Sequence, residues 1–297
     1  DDLAVLKNLK YKGFYTRVIP ALFPAKKGAE GLQQGLEEIC RQAEEAVDQG
    51  LDYIILSDRG INASQAPIPA LLAVSAVHHH LLRQQKRMQI DIVIETAEAR
   101  EVMHFALLFG YGASIINPYM SFAVIEQLTK NGQLQMEYQT AEAHYIEAVR
   151  MGMLKIMSKM GTSTLRSYRG AQLFDAVGLN KHFIDRYFTG TTSLLGGIGL
   201  EEVAAENLQT HKKAFSRRFT PFVKEFQGQS HYRYDAEAHA WNPITIANLQ
   251  HAARKNNETY YREFAKAADA FTRAPGFLRG FLSFKSNPVP VEEVEPA

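Results

Sequence analysis

Tyr53-Ile-Ile-Leu-Ser-Asp-Arg59 is a short apolar run that stops on three polar side chains. Runs of this length, bounded by polar residues, suit a strand buried on both faces, and burial on both faces is the habit of parallel sheets. The pattern repeats on either side. Upstream, Tyr15 to Leu22 is a β-like run ending at Pro24. Leu32 to Gln49 then places Leu36, Ile39, Cys40, Ala43 and Val47 at helical spacing before Gly50 stops it. Downstream, Pro67 to Gln84 reads as a helix entered through Pro67 and Pro69, and Ile90-Asp-Ile-Val-Ile as the next strand. Ala97 to Gly110 follows as a helix, and Ser114-Ile-Ile as a strand ending at Asn117-Pro-Tyr. This alternation predicts an α/β fold with a parallel sheet covered on both faces.

The second half reads less regularly. Tyr138 to Met151 is a helix, Leu154-Lys-Ile-Met a short strand, and Thr164 to Ala176 a helix stopped by Gly178. Tyr187-Phe-Thr-Gly-Thr resembles a strand leaving into the glycine-bearing loop Gly196-Gly-Ile-Gly, and Leu200 to Phe219 a long helix. After Gln227 the alternation fades, and Pro243 to Phe271 reads as helical and charged, a cap or connecting arm.

The bulk properties exclude several function classes. The 297 residues are 46% hydrophobic and 22% charged with a net charge of +1, which gives no strong attraction to nucleic acid or anionic membrane. The long uncharged stretch Ile61 to Leu82 carries prolines, glutamine and histidines and is no membrane span. No basic segment followed by an apolar core opens the chain. One cysteine, Cys40, excludes an internal disulfide and any all-cysteine metal site, which fits a reducing compartment such as the cytoplasm. The start at Asp1-Asp2 and the proline-rich acidic end, Pro288-Val-Pro-Val-Glu-Glu-Val-Glu-Pro-Ala297, fit a piece of a longer polypeptide, with 286–297 as a linker.

Candidate sites begin at the strand ends, because ligands meet parallel α/β sheets at the carboxyl ends of the strands. Four such ends are polar: Ser57-Asp58-Arg59, Glu95-Thr96, Asn117-Pro118-Tyr119 and Thr189-Gly190-Thr191. If the strands are neighbours, these side chains converge on one face as a ligand site or tunnel mouth. The alternative is that they cap the following helices and pair among themselves, Asp58 with Arg59 or Glu95 with Arg100.

The run Leu154 to Gln172 interleaves Lys155, Lys159, Arg166 and Arg169 with hydroxyls and glycines, a mixture suited to a loop and helix start that hold charged heads against something specific. The triplet His78-His79-His80 cannot converge on one ion, since successive helix positions lie about 100° apart. One of the three is expected to be buried and hydrogen-bonded. Gly196-Gly197-Ile198-Gly199 before a helix is a candidate anion cradle, but Glu201 and Glu202 in the first turn would repel a phosphate. Cys40 sits at a core position. Tyr232, Tyr234, His239 and Trp241 form an aromatic patch that suits either an interface or internal packing.

Several stretches, in order, resemble the central domain of glutamate synthase. They are Ile54-Ile-Leu-Ser-Asp-Arg59, Pro69-Ala-Leu-Leu-Ala-Val-Ser-Ala-Val-His-His-His80 and Glu95-Thr-Ala-Glu-Ala-Arg-Glu101. Lys155-Ile-Met-Ser-Lys-Met-Gly161 with Ser167-Tyr-Arg-Gly-Ala-Gln172, and Phe188-Thr-Gly-Thr191 with Gly196-Gly-Ile198, continue the match. His239-Ala-Trp-Asn-Pro243 extends it, and Leu278-Arg-Gly-Phe-Leu-Ser-Phe284 looks like the approach to the family's flavin barrel. The chain departs from the family pattern at Leu194, where an arginine is usual, and at Ala97 and Ala236, where glycines are usual.

The resemblance implies an incomplete TIM-barrel-like, parallel-stranded α/β domain over residues 1–285, shortened at its amino end, with a helical C-terminal extension. In that family a glutaminase domain releases ammonia, which travels through an internal tunnel to a flavin barrel, meets 2-oxoglutarate there and is built into glutamate. The resemblance therefore implies a scaffold that joins the glutaminase and flavin-binding domains and helps wall the tunnel. By that comparison the chain alone makes no glutamate and holds no cofactor, FMN and the iron–sulfur cluster belonging to other regions of the parent. The walls or gates are expected at Ser57, Asp58, Arg59, Glu95, Thr96, Asn117, Thr189 and Thr191, and interdomain contacts at Lys155, Lys159, Arg166 and Arg169. The expected compartment is the cytoplasm, or the plastid stroma for a plant-type source, with no nucleic-acid or membrane partner. The rival readings are an independent barrel enzyme with a phosphate or flavin ligand at the Gly196 loop, and an interface module with no conduit.

Overall fold

The computed structural model describes residues 2–7, 14–216, 232, 238–273, 277, 282 and 288–294. Residues 1–217 and 218–297 form two compact units. Tyr234, Ala236 and all of 278–284 except Leu282 lie outside the described residues.

The first unit opens with α1 (Asp2–Lys7), β1 (Thr16–Pro20), β2 (Leu22–Pro24), α2 (Gly28–Asp48), β3 (Tyr53–Ser57), β4 (Gln65–Pro67) and α3 (Ala70–Arg83). It continues through β5 (Asp91–Glu95), α4 (Val102–Gly110), β6 (Ile115–Asn117), α5 (Tyr119–Lys130) and α6 (Tyr138–Lys159). The central sheet is parallel throughout, in the order β1-β3-β5-β6. Its middle strands are as dry as their composition demands: Ile54, Ile55, Leu56, Ile92, Val93 and Ile94 are all at most 1% exposed. Helices cover it because their apolar faces have nowhere else to go. In α2 the buried residues Leu32, Leu36, Ile39, Ala43, Ala46 and Val47 fall on one stripe, and the helix gives way at Gly50, whose φ of 71° suits glycine. The α3 run Leu72 to His78 is buried on every side, between the sheet and α2, α4 and a later helix.

The sheet stays open among the described residues, with β1 and β6 at its edges. Instead of closing a barrel, the chain continues through α7 (Leu165–Tyr168), β7 (Asp175–Leu179), α8 (Lys181–Tyr187), β8 (Thr192–Ile198) and α9 (Leu200–Ala214). β7 and β8 form a separate two-stranded parallel sheet. The fold is thus an incomplete, TIM-like α/β domain. The second unit holds α10 (Pro243–Lys255) and α11 (Glu258–Arg273). Asn242 caps α10 by accepting from Ile244 N and Thr245 N, and Asn256, at φ 46°, breaks the two helices apart. In this unit Trp241 stacks on Phe264 and Tyr232 meets His239 edge-on, which gives the described part of the aromatic patch an internal packing role.

Four expectations for the second half are corrected. Leu154 to Met157 is no strand but the last turns of α6, where Met153 and Met157 are buried one turn apart. Residues 164–176 split into the one-turn α7, capped by Thr164, and then β7. Tyr187 to Thr191 is not a strand: Phe183, Ile184, Tyr187 and Phe188 are buried at helical spacing, and Asn180 starts α8 by accepting from Phe183 N. Gly196 and Gly197 lie inside β8 rather than in a loop. Gly197 has no side chain there because a Cβ would meet the Gly178 carbonyl oxygen at 2.4 Å.

Candidate functional site

Parallel register brings the carboxyl ends of the central strands side by side: Ser57 is the partner of Glu95, and Glu95 of Asn117. The side chains there are polar yet dry. Glu95 is 1% exposed, Thr96 0%, Asp58 3% and Ser57 4%. Two buried carboxylates in one place are tolerable only if their charge is matched. Glu95 receives Ser57 Oγ at 2.5 Å, Arg59 Nε at 2.6 Å and Lys7 Nζ at 2.7 Å, the lysine reaching in from α1. Burial pushes the Glu95 pKa up, but the bonds from Lys7, Ser57 and Arg59 together outweigh it and hold the carboxyl below the usual range.

Asp58 folds the β5–α4 connection around itself. Its Oδ2 accepts from Thr96 Oγ1 and Ala97 N, both at 2.8 Å. Its Oδ1 is buried with no hydrogen-bond partner among the described residues. Tyr119, the first residue of α5, lies under the Arg59 guanidinium, 4.1 Å from ring centroid to Cζ. Burial, and then the charge of Asp58, push its phenol pKa up. Both cations, Lys7 and Arg59, go to Glu95, while Asp58 is held by the neutral donors Thr96 Oγ1 and Ala97 N. The anticipated Asp58–Arg59 pairing is not made: Arg59 bonds Glu95 instead.

Ser57, Asp58, Arg59, Glu95, Thr96 and Asn117 are therefore neighbours, Asn117 through its carbonyl, which accepts from Thr96 N at 3.0 Å. Thr189 and Thr191 do not join them. They follow α8 in a turn, Thr189 bonding back to Asp185 O and Thr191 meeting Tyr111 OH at 2.8 Å beyond the end of α4, on the amino side of β6. Arg169 also lies at the amino end, where it holds Asp91 at the start of β5 and Ser114 just before β6. Lys155, Lys159 and Arg166 are exposed and make no ion pair among the described residues. The Gly196 segment offers no anion cradle, since the Gly199 amide opening α9 already donates to Glu202 at 2.8 Å. Lys7 carried no sequence signal, because nothing in a lone lysine near the start of the chain points across to Glu95.

The amino end has its own lock. His78 Nδ1 accepts from Arg87 Nε at 2.9 Å, and the same guanidinium donates to Ile90 O and Gly112 O. Burial, and after it the charge of Arg87, lower His78 to about 3, so its ring is neutral with the proton on Nε2. His80 points elsewhere, to Glu44 at 2.9 Å. Among the described residues no group of His, Cys, Asp and Glu is placed to hold a metal, and no helix is long and apolar enough to cross a membrane. Burial drives the Cys40 thiol up to about 12.

Alongside the open edge at β6 runs an apolar groove of about 770 Å³. Ile115, Ile116 and Asn117 form one side, Ile146, Val149, Met153 and Leu154 of α6 another.

Residues 1–180 match the family model for the glutamate synthase central domain. The glutamate synthase [NADPH] large chain of Bacillus subtilis is 43% identical over 302 residues, covering all of this chain and 19% of that protein. The glutamate synthase [NADH] of Schizosaccharomyces pombe is 34% identical, again over the whole chain and 14% of its own length. The ferredoxin-dependent glutamate synthase 1 of Arabidopsis thaliana is 38% identical over 95% of this chain and 18% of itself. Among solved structures, a flavocytochrome b2 mutant with sulfite bound aligns over 57% of the chain with a TM-score of 0.38 and 13% identity. The chain spans about a fifth or less of the curated relatives it matches.

Proposed function

The chain belongs to the glutamate synthase central-domain family, and we propose that it serves there as a non-catalytic joint between the glutaminase and flavin-binding domains whose strand-end cluster helps wall the ammonia passage. The observation that carries this reading is the dry group Ser57, Asp58, Glu95 and Thr96 at the carboxyl end of the sheet, with Lys7 and Arg59 bonded to Glu95. A wall for ammonia has to be polar enough to face a small dipole and yet give it no proton. Glu95, held ionised by Lys7 and Arg59, has none to give, and the raised Tyr119 phenol keeps its own. The joint itself is supported by the groove beside β6 and by the side chains of α6 around it, with Ile146 50% and Leu154 46% exposed. Lys155, Lys159 and Arg166 are available to partner surfaces, whereas Arg169 is spent within this unit. The compartment is that of the parent enzyme, cytoplasm or plastid stroma; several plant relatives carry the designation chloroplastic.

The test is Glu95→Ala in the complete synthase. Glutamine hydrolysis and 2-oxoglutarate-dependent glutamate formation are followed together, and the expected outcome is hydrolysis in excess of synthesis. Full coupling at wild-type stability would remove Glu95 from the passage. The groove also favours a second reading, a pure interface module. In that case strand-end substitutions weaken the assembly of the enzyme and leave the two activities in step.

A further inference from the structure

The amino-terminal end of the sheet, away from the proposed passage, carries a cavity that neither joint nor conduit uses. It measures about 360 Å³ and lies between the last turns of α3, the Gly110-Tyr111 turn, the 170–174 segment and the 189–191 turn. That volume is at the small end of ligand pockets.

The chemistry of its lining is one-sided. His79 makes no hydrogen bond among the described residues, and neither does the Gln172 amide, which lies across Gly190 from a left-handed backbone at φ 54°. Arg83 commits one nitrogen, at 3.3 Å, to Arg186 O and keeps the rest of its fork. The Thr191–Tyr111 hydroxyl pair has one proton to spare, since only one of the two can point along their shared bond. No carboxylate lines the cavity. Of those nearby, Asp91 is engaged by Arg169, Asp175 acts on the Tyr111 phenol, and Glu37 and Glu44, which line a neighbouring cavity with Arg83, are engaged by Arg186 and by His80 and Lys86. Burial and then Arg83 lower His79 to about 4, and burial, Arg87 and Arg169 act in the same direction on His78.

We propose that this cavity is a binding site for a small oxyanion, the carboxylate or phosphate group of a metabolite, held by the Arg83 guanidinium, His79, Gln172 and the Thr191–Tyr111 hydroxyls. Charge-assisted bonds from a guanidinium fork suit both groups, and the neutral donors complete the shell. The site is independent of the conduit reading and lies at the opposite end of the sheet from Glu95.

The experiment is a titration of the chain, with its histidine ring nitrogens labelled, by sodium phosphate and separately by sodium malonate, at pH 7 and constant ionic strength against chloride. Saturable shifts of the His79 nitrogens, absent from His211, are expected. Arg83→Gln, at an exposed position that leaves the core intact, should weaken the binding at least tenfold. Saturation by phosphate alone assigns a phosphate-bearing ligand, by malonate alone a carboxylate, and by both a general oxyanion site. Shifts that grow linearly with both salts and match chloride would overturn the proposal, as would saturable binding that Arg83→Gln leaves unchanged.

Discussion

His78 makes the stability of this fold depend on acid in a way that can be computed and then isolated. Its folded pKa of about 3 lies below the ordinary value of 6.5, because burial and Arg87 oppose a second proton. Between those two values the unfolded chain binds a proton that the folded chain refuses. The stability His78 permits is therefore fully present above pH 6.5 and is lost as the pH falls toward 3. At pH 5 an unfolded histidine gains about 2 kcal/mol from protonation, and this holds for any folded pKa at or below about 4. His79, lowered to about 4 by burial and Arg83, adds a similar acid penalty, reduced by its partial exposure. The two are separated with His78→Gln, which keeps an acceptor for Arg87 Nε and removes the titration. Urea unfolding of both proteins at pH 7 and pH 5 is the assay. The wild type should lose about 2 kcal/mol more than the variant over that interval. Equal losses in the two proteins would mean that His78 titrates normally and that the Arg87 bond is not maintained in solution.

Three further outcomes follow from the same contacts. Gly112→Ala should cost about 3 kcal/mol or more in a chemical melt, because the residue sits at φ 116° and a Cβ would lie 2.4 Å from His78 Nδ1, breaking the Arg87 bond; a loss under about 1 kcal/mol would show that the turn simply moves. Cys40, its thiol driven up to about 12, should react with a disulfide reagent at pH 8 at least a hundredfold more slowly in the folded chain than in urea; comparable rates would place it at the surface. Lys7→Met should raise the Glu95 pKa, read from its side-chain carboxyl carbon by NMR, since one of the three donors that hold the carboxylate ionised is gone; an unmoved value would assign the work to Ser57 and Arg59.

The central sheet was legible because its strands are buried on both faces and written in unbroken Ile, Val and Leu, so that Tyr53–Ser57 and Asp91–Glu95 stand out from the amphipathic helices between them. The polar strand ends were legible for the same reason, as the first side chains after each apolar run. Beyond residue 154 the signal fails in a definable way. Lys155-Ile-Met at the end of α6 and Phe188-Thr-Gly-Thr after α8 are short, mixed segments in which a few apolar residues satisfy either period. What decides them is tertiary: Met153 and Met157 turn inward together, and Asn180 caps a helix that buries Phe183 and Tyr187. That error alone carried Thr189 and Thr191 to the wrong end of the sheet. Lys7 and Arg87 were beyond sequence reading, because their role depends entirely on the carboxylate or imidazole opposite them.

The two ends of the sheet bury charge by different means, and the difference bears on function. At the amino end Arg87 is tied to His78 and to the carbonyls of Ile90 and Gly112, all of them neutral, so the lock holds as long as His78 stays unprotonated. At the carboxyl end Glu95 depends on Lys7 and Arg59, and these cations are far more exposed, at 27% and 55% of their side chains against 2% for the glutamate. An exposed cation leaves its partner at little cost, whereas the buried carboxylate that it abandons loses its compensation and pays in desolvation. Any partner surface that drew Lys7 or Arg59 away would thus raise the Glu95 pKa and favour a proton on it. A neighbouring domain placed against this face would therefore change the character of the proposed wall through salt-bridge exchange, without moving a strand.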